Sequence, residues 1–175
     1  MLLRDQGSWC VLQVVPRHEY TVARTLAWRG YVHFLPTCWV RRRWSDRVKV
    51  MEHPLFPGYV FCRTQQALMQ VVRGIPGIIR IVSFGGNPCL IPEDEIEAIQ
   101  RMLLSKREIS PVPYLQAGQK VEVIAGPLAG VTGIIIRVKN SHRLVMSIDL
   151  IMKSIAVEVD CSEVALAPER STAGM

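Results

Sequence analysis

The pattern of apolar residues changes once along this 175-residue sequence, near residue 105, and this change limits what the chain can fold into. Before it, β-prone stretches alternate with stretches of helical periodicity; after it, short β-branched stretches follow one another without a helical period. Between the halves lies SKREISPVPYLQ, which has two prolines and no usable periodicity. The pattern predicts an α/β domain over 1–105, a linker over 106–116, a small barrel or sandwich over 117–168 and a disordered tail over 169–175.

Two helices are predicted in the first half. WCVLQVV is a β-prone stretch that runs into Pro16, a residue suited to the first turn of a helix. The helix that follows has its apolar stripe at Tyr20, Ala23, Leu26 and Ala27, and Gly30 ends it. Pro92 begins the second helix, whose first turn is acidic and whose buried stripe is Ile96, Ile99 and Leu103.

Composition favours a binding protein of the cytoplasm over an enzyme or a membrane protein. The apolar runs stop well short of the roughly 18 residues that a membrane span needs. The five cysteines are widely spaced and contain no CxxC pair, and the four histidines lie in different elements, so no metal site, cofactor or catalytic group is expected. FGGNP, at 84–88, lacks the lysine of a phosphate-binding loop and indicates a hairpin turn.

Positive charge is concentrated in the first half, where residues 1–105 contain 13 Lys and Arg against 8 Asp and Glu. RRRWSDRVK, at 41–49, is the densest segment, with Trp44 among its cations and Trp39 two residues before the first of them. One interpretation is a solvated hairpin whose charges protect an edge strand. The other is a contact with a polyanion, in which arginines meet phosphates and indoles stack on unpaired bases.

HPLFPGYVF, at 53–61, contains three aromatic residues in a strand interrupted by two prolines and a glycine. Regular alternation places Leu55, Tyr59 and Phe61 on one face, and Phe56, Val60 and Cys62 on the other. Either both sets belong to the core, or one set is exposed and marks an interface.

The order of WCVLQVVPRHEYTVARTL, FLP, PLFPGYVF, IPGIIRIVSFGGNPCLIPEDEI and GQKVEVIAGPLAGVTGIIIRV resembles the NusG family of transcription elongation factors. The similarity covers about residues 8–167. It implies an α+β fold: an N-terminal NusG-type (NGN) antiparallel sheet with flanking helices, and a C-terminal all-β KOW domain with an SH3-like barrel. PLFPGYVF and the RxSDRxK segment are most similar to specialised RfaH-like paralogues, which act as operon-specific antiterminators.

The resemblance implies that a monomeric chain binds RNA polymerase at the clamp helices of the β′ subunit and suppresses pausing or termination. The residues carried over to this contact are Phe56, Pro57, Gly58, Tyr59 and Phe61, with exposed rings as anchors. The non-template DNA strand of the transcription bubble is the implied second partner. The residues assigned to this contact are Arg17, His18, Arg24, Arg41, Arg42, Arg43 and Arg47. For the hairpin arginines the assignment rests mainly on charge.

The KOW motif is matched by Gly126, Pro127, Gly130 and Gly133. In the family this module binds a small-subunit ribosomal protein or Rho, and the β-branched GIIIRV and IAVEV favour a stable barrel over refolding into helices. Two other functions stay open: a general NusG that acts with Rho in termination, and a ribosome- or RNA-associated KOW protein.

Overall fold

The computed structural model describes residues 7–43, 47–64, 72–115, 118–138 and 141–167, with only the backbone at 42, 64 and 138. Trp44, the turn expected at 45–46 and the predicted tail lie outside these ranges. The chain divides into two compact units, Met1–Ile99 and Gln100–Met175. None of the helices in the described ranges has the length and apolar character to cross a membrane.

The first unit is built from short strands and two helices. Its strands are β1 (Ser8–Val14), β2 (Val32–Phe34), β3 (Thr37–Arg43), β4 (Val48–Pro54), β5 (Tyr59–Thr64), β6 (Ile78–Ile81), β7 (Ser83–Phe84), β8 (Asn87–Pro88) and β9 (Leu90–Ile91). Its helices are α1 (Glu19–Trp28) and α2 (Glu93–Leu104), the second of which runs four residues past Gln100.

An antiparallel sheet in the order β2-β5-β1-β6 forms the centre of the first unit, and β9 also pairs with β1. One face of this sheet presents Cys10, Leu12, Val60 and Cys62, which pack with Val22 and Leu26 of α1 into a buried core. β3 and β4 form a separate two-stranded hairpin, and β7 and β8 form another, closed by Gly85 and Gly86 as FGGNP predicts.

The helices match the predicted periodicity in part. Gly30 takes the expected left-handed conformation after α1, and Ala23 and Leu26 are buried as predicted. Tyr20 and Ala27 are exposed instead, because Val22 and Glu19 complete the buried stripe of a helix that begins two residues later than Arg17. In α2, Ile96 and Ile99 are buried as predicted, but the third buried position is Met102, whereas Leu103 is half-buried.

The second unit contains a six-stranded antiparallel sheet in the order β10-β14-β13-β12-β11-β15. Its strands are β10 (Ile109–Val112), β11 (Gln119–Val123), β12 (Thr132–Val138), β13 (Ser141–Ile148), β14 (Lys153–Val159) and β15 (Val164–Leu166), with 3-10 turns at Asp149–Ile151 and Cys161–Glu163. VEVI, GIIIRV, RLVMSI and IAVEV therefore form strands as predicted. The first unit combines a sheet with helices, and the second contains a β-sheet, which confirms the α+β fold class.

The segment predicted as a linker, residues 106–116, contains a strand, Ile109–Val112. This segment pairs with β14 in the register Ile109↔Val157 to Val112↔Ser154. Pro111 is compatible with this position because β10 is the outermost strand, and an edge strand tolerates a residue without an N–H group. The two prolines interrupt the apolar pattern of this segment, so periodicity did not predict the strand.

Candidate interaction site

The FPGY segment forms a tight turn that joins β4 to β5. Pro57 and Gly58 are its central residues, the N–H of Tyr59 donates to the carbonyl of Phe56 at 3.1 Å, and Gly58 has a φ of +84°. Proline followed by a residue of positive φ is the signature of a type II turn. The Gly58 N–H donates to the carboxylate of the buried Glu19 at 2.8 Å, so this turn is fixed to the start of α1.

Three such turns meet at the end of β1. The N–H of Val14 donates to Gly58 O and that of Val15 to Gly77 O, both at 2.8 Å. Gly77 belongs to the Ile75–Ile78 turn, in which it has a φ of +92°. The third turn follows Val15 directly: His18 N donates to Val15 O, with Pro16 and Arg17 between them. Pro16 therefore belongs to a turn and not, as predicted, to the helix.

Arg17 occupies the left-handed position of this third turn, with a φ of +70°, where the other two turns have glycine. A left-handed conformation costs a residue with a Cβ about 1–2 kcal/mol. Arg17 and the neighbouring His18 are both exposed, so burial of their side chains does not offset that cost. Backbone strain retained at an exposed arginine is a reason to look for a functional role.

We expect Arg17→Gly to raise the free energy of unfolding by about 0.5–1 kcal/mol, because relief of the strain exceeds the entropy cost of a glycine. Gly58→Ala is the matched control. There a Cβ would have room, its nearest neighbour being Val14 O at 3.9 Å, but the positive φ would cost about 1–2 kcal/mol. Urea unfolding of both variants measures these changes; a loss of stability in Arg17→Gly would contradict the strain.

The aromatic rings around the FPGY turn are packed against one another. Phe61 meets Phe56 edge to face with ring centroids 5.7 Å apart, and it contacts Phe34 of β2 at 6.1 Å. Phe56 is 1% exposed and Phe61 is 0% exposed. The prediction that these rings are exposed anchors is therefore wrong. What the stretch leaves accessible is Pro57, which is exposed, together with the half-buried Gly58 and Tyr59.

The exposed face of α1 has a polar and aromatic surface. Arg24 is exposed, and Tyr20 and Trp28 lie one helical turn before and after it, with Trp28 84% exposed. Burial, and then the negative charge of Glu52 in β4, raise the pKa of Tyr20.

The β3–β4 hairpin has one face that combines cations with apolar groups. Its register pairs Trp39 with Glu52, Arg41 with Val50 and Arg43 with Val48, and alternation places these six residues on one side. Trp39 is 71% exposed, and Arg41, Arg43, Val48 and Val50 are exposed as well. We call this surface the hairpin face. Arg47, immediately before β4, is also exposed, and the side chain of Arg42 lies outside the described part of the chain.

The first unit matches a known protein family. A family model described as "Transcription termination factor nusG" matches residues 7–100, more than half of the chain. The chain belongs to the NusG family. The matched range contains the FPGY turn, α1 and the hairpin face.

Curated NusG relatives extend over most of the chain. The "Transcription termination/antitermination protein NusG" of Thermus thermophilus is 29% identical over 139 residues, which are 73% of this chain and 76% of that protein. The protein of the same name from Lactococcus lactis is 28% identical over 176 residues, covering 91% and 92%. The solved structure "Domain interaction in Thermotoga maritima NusG" shares the fold with a TM-score of 0.58 at 22% identity, covering 93% of this chain and 98% of that one.

In this NusG-family chain the GPLAG turn packs against an ion pair. The guanidinium of Arg107 donates two hydrogen bonds of 2.7 Å to the carboxylate of Glu163, and a further one to Glu158 O. Gly126 has a φ of +78°, and a Cβ there would lie 2.6 Å from Glu163 Oε1. Gly130 also has a positive φ, whereas at Gly133 a Cβ would meet the carbonyl of Val145 at 2.5 Å.

These contacts and backbone angles explain why glycine is required at each glycine position of the predicted KOW motif. Positive φ explains Gly126 and Gly130, and close approach of a neighbouring strand explains Gly133. The exposed Pro127 lies between the first two in the turn. The sequence pattern located this turn but did not predict the Arg107–Glu163 pair, because its two members are far apart in sequence.

We expect the second unit to lose stability at acid pH. Hydrogen bonds from Arg107, and then from the backbone of Asp160, hold the pKa of Glu163 below its ordinary value of 4.5. A lowered folded-state pKa means that the contribution is complete above the ordinary value and is lost as pH falls through the folded one. The melting temperature should therefore decrease when the pH is lowered below about 4. Glu163→Gln should reduce this decrease, while Glu122→Gln should leave it unchanged. An equal acid dependence in wild type and Glu163→Gln would contradict the assignment.

The described ranges contain no group of three or more metal-ligating side chains. The cysteines at 10 and 62 lie opposite each other in β1 and β5, and burial raises the pKa of each thiol to about 12. These two positions are therefore packing residues of the core, as their wide spacing in the sequence suggested.

Proposed function

We propose that this chain is an operon-specific antitermination factor that binds RNA polymerase through the surface around the FPGY turn. The observation that carries the proposal is the NusG family match over residues 7–100, which includes the turn. The curated relatives are named termination/antitermination proteins, a description that includes both directions of control. The PLFPGYVF and RxSDRxK segments, similar to those of RfaH-like paralogues, favour antitermination.

The burial of the aromatic rings changes which residues would make the polymerase contact. Pro57, Gly58 and Tyr59 provide the accessible surface, while Phe56 and Phe61 support the turn from within. A half-buried tyrosine is well suited to an interface because its ring is already ordered before binding. In our proposal this surface docks on the clamp helices of the β′ subunit.

The non-template DNA strand is the proposed second partner of the first unit. The hairpin face offers Arg41 and Arg43 for phosphates and the exposed ring of Trp39 for an unpaired base. Arg17, His18 and Arg24 are exposed at and near the start of α1. The strain at Arg17 supports a role for its guanidinium in this contact.

Bridging explains how such a protein would act without catalysis. A chain that holds the clamp and the DNA together binds the closed elongating state of polymerase more tightly than the paused state. A difference of about 1.4 kcal/mol in these binding free energies changes the ratio of the two states tenfold. The second unit would recruit a small-subunit ribosomal protein or Rho.

Binding to an isolated fragment of the β′ clamp helices tests the polymerase contact. We expect the full chain to bind the fragment and Tyr59→Ala to weaken binding by about 2 kcal/mol, close to thirtyfold, without loss of the folded state. Tyr114→Ala is the control, because it removes an equivalent ring from the other unit. Absence of binding by the wild-type chain would overturn the proposal and favour an RNA-associated protein.

Transcription in vitro, with and without Rho, tests the direction of control. Antitermination predicts that the chain shortens pauses and increases read-through in the absence of Rho. If the chain has no effect alone and increases termination when Rho is added, it acts instead as a general NusG with Rho.

A further inference from the structure

The second unit carries an apolar stripe on the face of its sheet that also presents Ser147 and Ser154. The stripe consists of Ile134, Val145 and Ala156, contributed by three neighbouring strands, and all three are buried. Val112 and Leu115 pack directly against them. Both belong to the segment that connects α2 to the sheet, and we call residues 109–115 the strap.

The strap is held by backbone pairing and a few hydroxyl groups. Ile109–Val112 pair with β14 as its outer neighbour. Ser154 Oγ accepts from the N–H of Leu115 at 3.1 Å, and Ser147 Oγ donates to Leu115 O at 2.7 Å. At the two ends, the guanidinium of Arg143 donates to Ser110 Oγ and the hydroxyl of Tyr114 donates to Asp149.

β14 has the composition of an inner strand. It is an inner strand only because the strap pairs with its outer edge. Its residues from Ser154 to Val157 are buried on both faces of the sheet. Without the strap, β14 would be an edge strand with unpaired backbone groups beside an uncovered apolar stripe. Such an edge accepts an extended peptide by β-augmentation, with alternate side chains entering the stripe.

The strap itself is a weak occupant of this edge. Each residue of Ile109–Val112 keeps at least part of its surface in water. Its hydrogen bonds at the ends come from side chains that are themselves partly exposed. Segments with few buried contacts open at a lower free energy than the core of a domain.

We propose that the strap is a built-in competitor for a strand-accepting groove formed by β14 and the apolar stripe. In the closed state the strap fills the groove. When it lifts, the groove binds an extended peptide segment with apolar side chains at alternate positions, and the strap thereby sets the affinity of the second unit for that partner. This inference concerns a surface outside the proposed polymerase and DNA contacts.

The first test uses a fluorescent synthetic peptide with the sequence of residues 108–115, EISPVPYL, as the probe. Val112→Asp in the full chain introduces a charge where the strap meets the stripe and leaves the groove intact. We expect this variant to bind the peptide at least tenfold more tightly than wild type, while Glu108→Gln, outside the strap, binds like wild type. Equal affinities, or loss of the folded state in Val112→Asp, would overturn the proposal because the strap would then not be displaceable.

The second test does not depend on weakening the fold. Ser110 and Ala156 are directly opposite in the ladder, a separation compatible with a disulfide after Ser110→Cys and Ala156→Cys. Oxidation should slow hydrogen exchange of the strap amides at least tenfold and abolish peptide binding; reduction should restore both. Exchange that is the same in both redox forms would show that the strap opens only with the whole unit and would overturn the proposal.

Discussion

Phe61→Ala is expected to lower the free energy of unfolding by about 3–5 kcal/mol, a large part of the 5–15 kcal/mol that stabilises a typical domain. The side chain has no exposed surface, packs edge to face on Phe56 and contacts Phe34. In the ladder it lies opposite Val11, which is also fully buried. Removing the ring therefore leaves a cavity that its neighbours fill only in part. Urea unfolding of the full chain, followed by circular dichroism, measures the loss.

Tyr59→Ala is the matched comparison, because Tyr59 lies two residues earlier on the same strand and the same face but is half-buried. Its loss of stability should be no more than about 1–2 kcal/mol. The difference between the two variants isolates the effect of burial. Equal losses, or a Phe61→Ala variant close to wild type, would show that Phe61 is not part of the core and would restore the idea of an exposed ring.

Alternation placed Tyr59 with Phe61 and Val60 with Cys62, as the strand β5 has them. It was wrong for Phe56, which it put on the face opposite Phe61, because the FPGY turn brings the two rings into contact. Nor could alternation predict whether a face is covered. Coverage depends on residues far away in sequence, such as Val11 and Phe34, which reach Phe61 only through the pairing of β1 and β2 with β5. The α+β fold class, α1, α2 and the strands β11 to β14 were predictable because each has a local periodicity. The aromatic cluster of Phe34, Phe56 and Phe61 has no such local periodicity.

Turns and edge strands were the second limit of prediction. Pro16 at the end of a strand is equally compatible with a helix start and with a type II turn, and only the bond from His18 N to Val15 O distinguishes them. In the same way, Pro111 and Pro113 indicate a linker, yet the chain around Pro111 completes a sheet. Proline limits local conformation without determining which neighbour the backbone pairs with.

Replacing Arg41 and Arg43 with glutamine is expected to weaken binding to single-stranded DNA and to reduce its dependence on salt. Each lost phosphate contact lowers the slope of log K against log salt by about 0.7, so the pair should lower it by about 1.4. Trp39→Ala should cost about 1–3 kcal/mol of binding free energy with little change in slope, because a stacked ring releases no counterions. Fluorescence anisotropy of a labelled oligonucleotide across a salt series separates the two effects.

Two controls make this result specific to the hairpin face. Lys49 lies on the same hairpin but faces away from Arg41 and Arg43, so Lys49→Gln should change the affinity and the slope less than either arginine does. Lys120→Gln combined with Arg137→Gln removes two exposed cations from the second unit and tests whether net charge alone is responsible. If these controls lowered the slope as much as the arginine pair, binding would follow total charge and not the hairpin face. If Trp39→Ala had no effect on DNA binding, the exposed indole would not be a stacking site. Stacking on a base is the main contribution to DNA binding that a ring 71% exposed in the free chain could make.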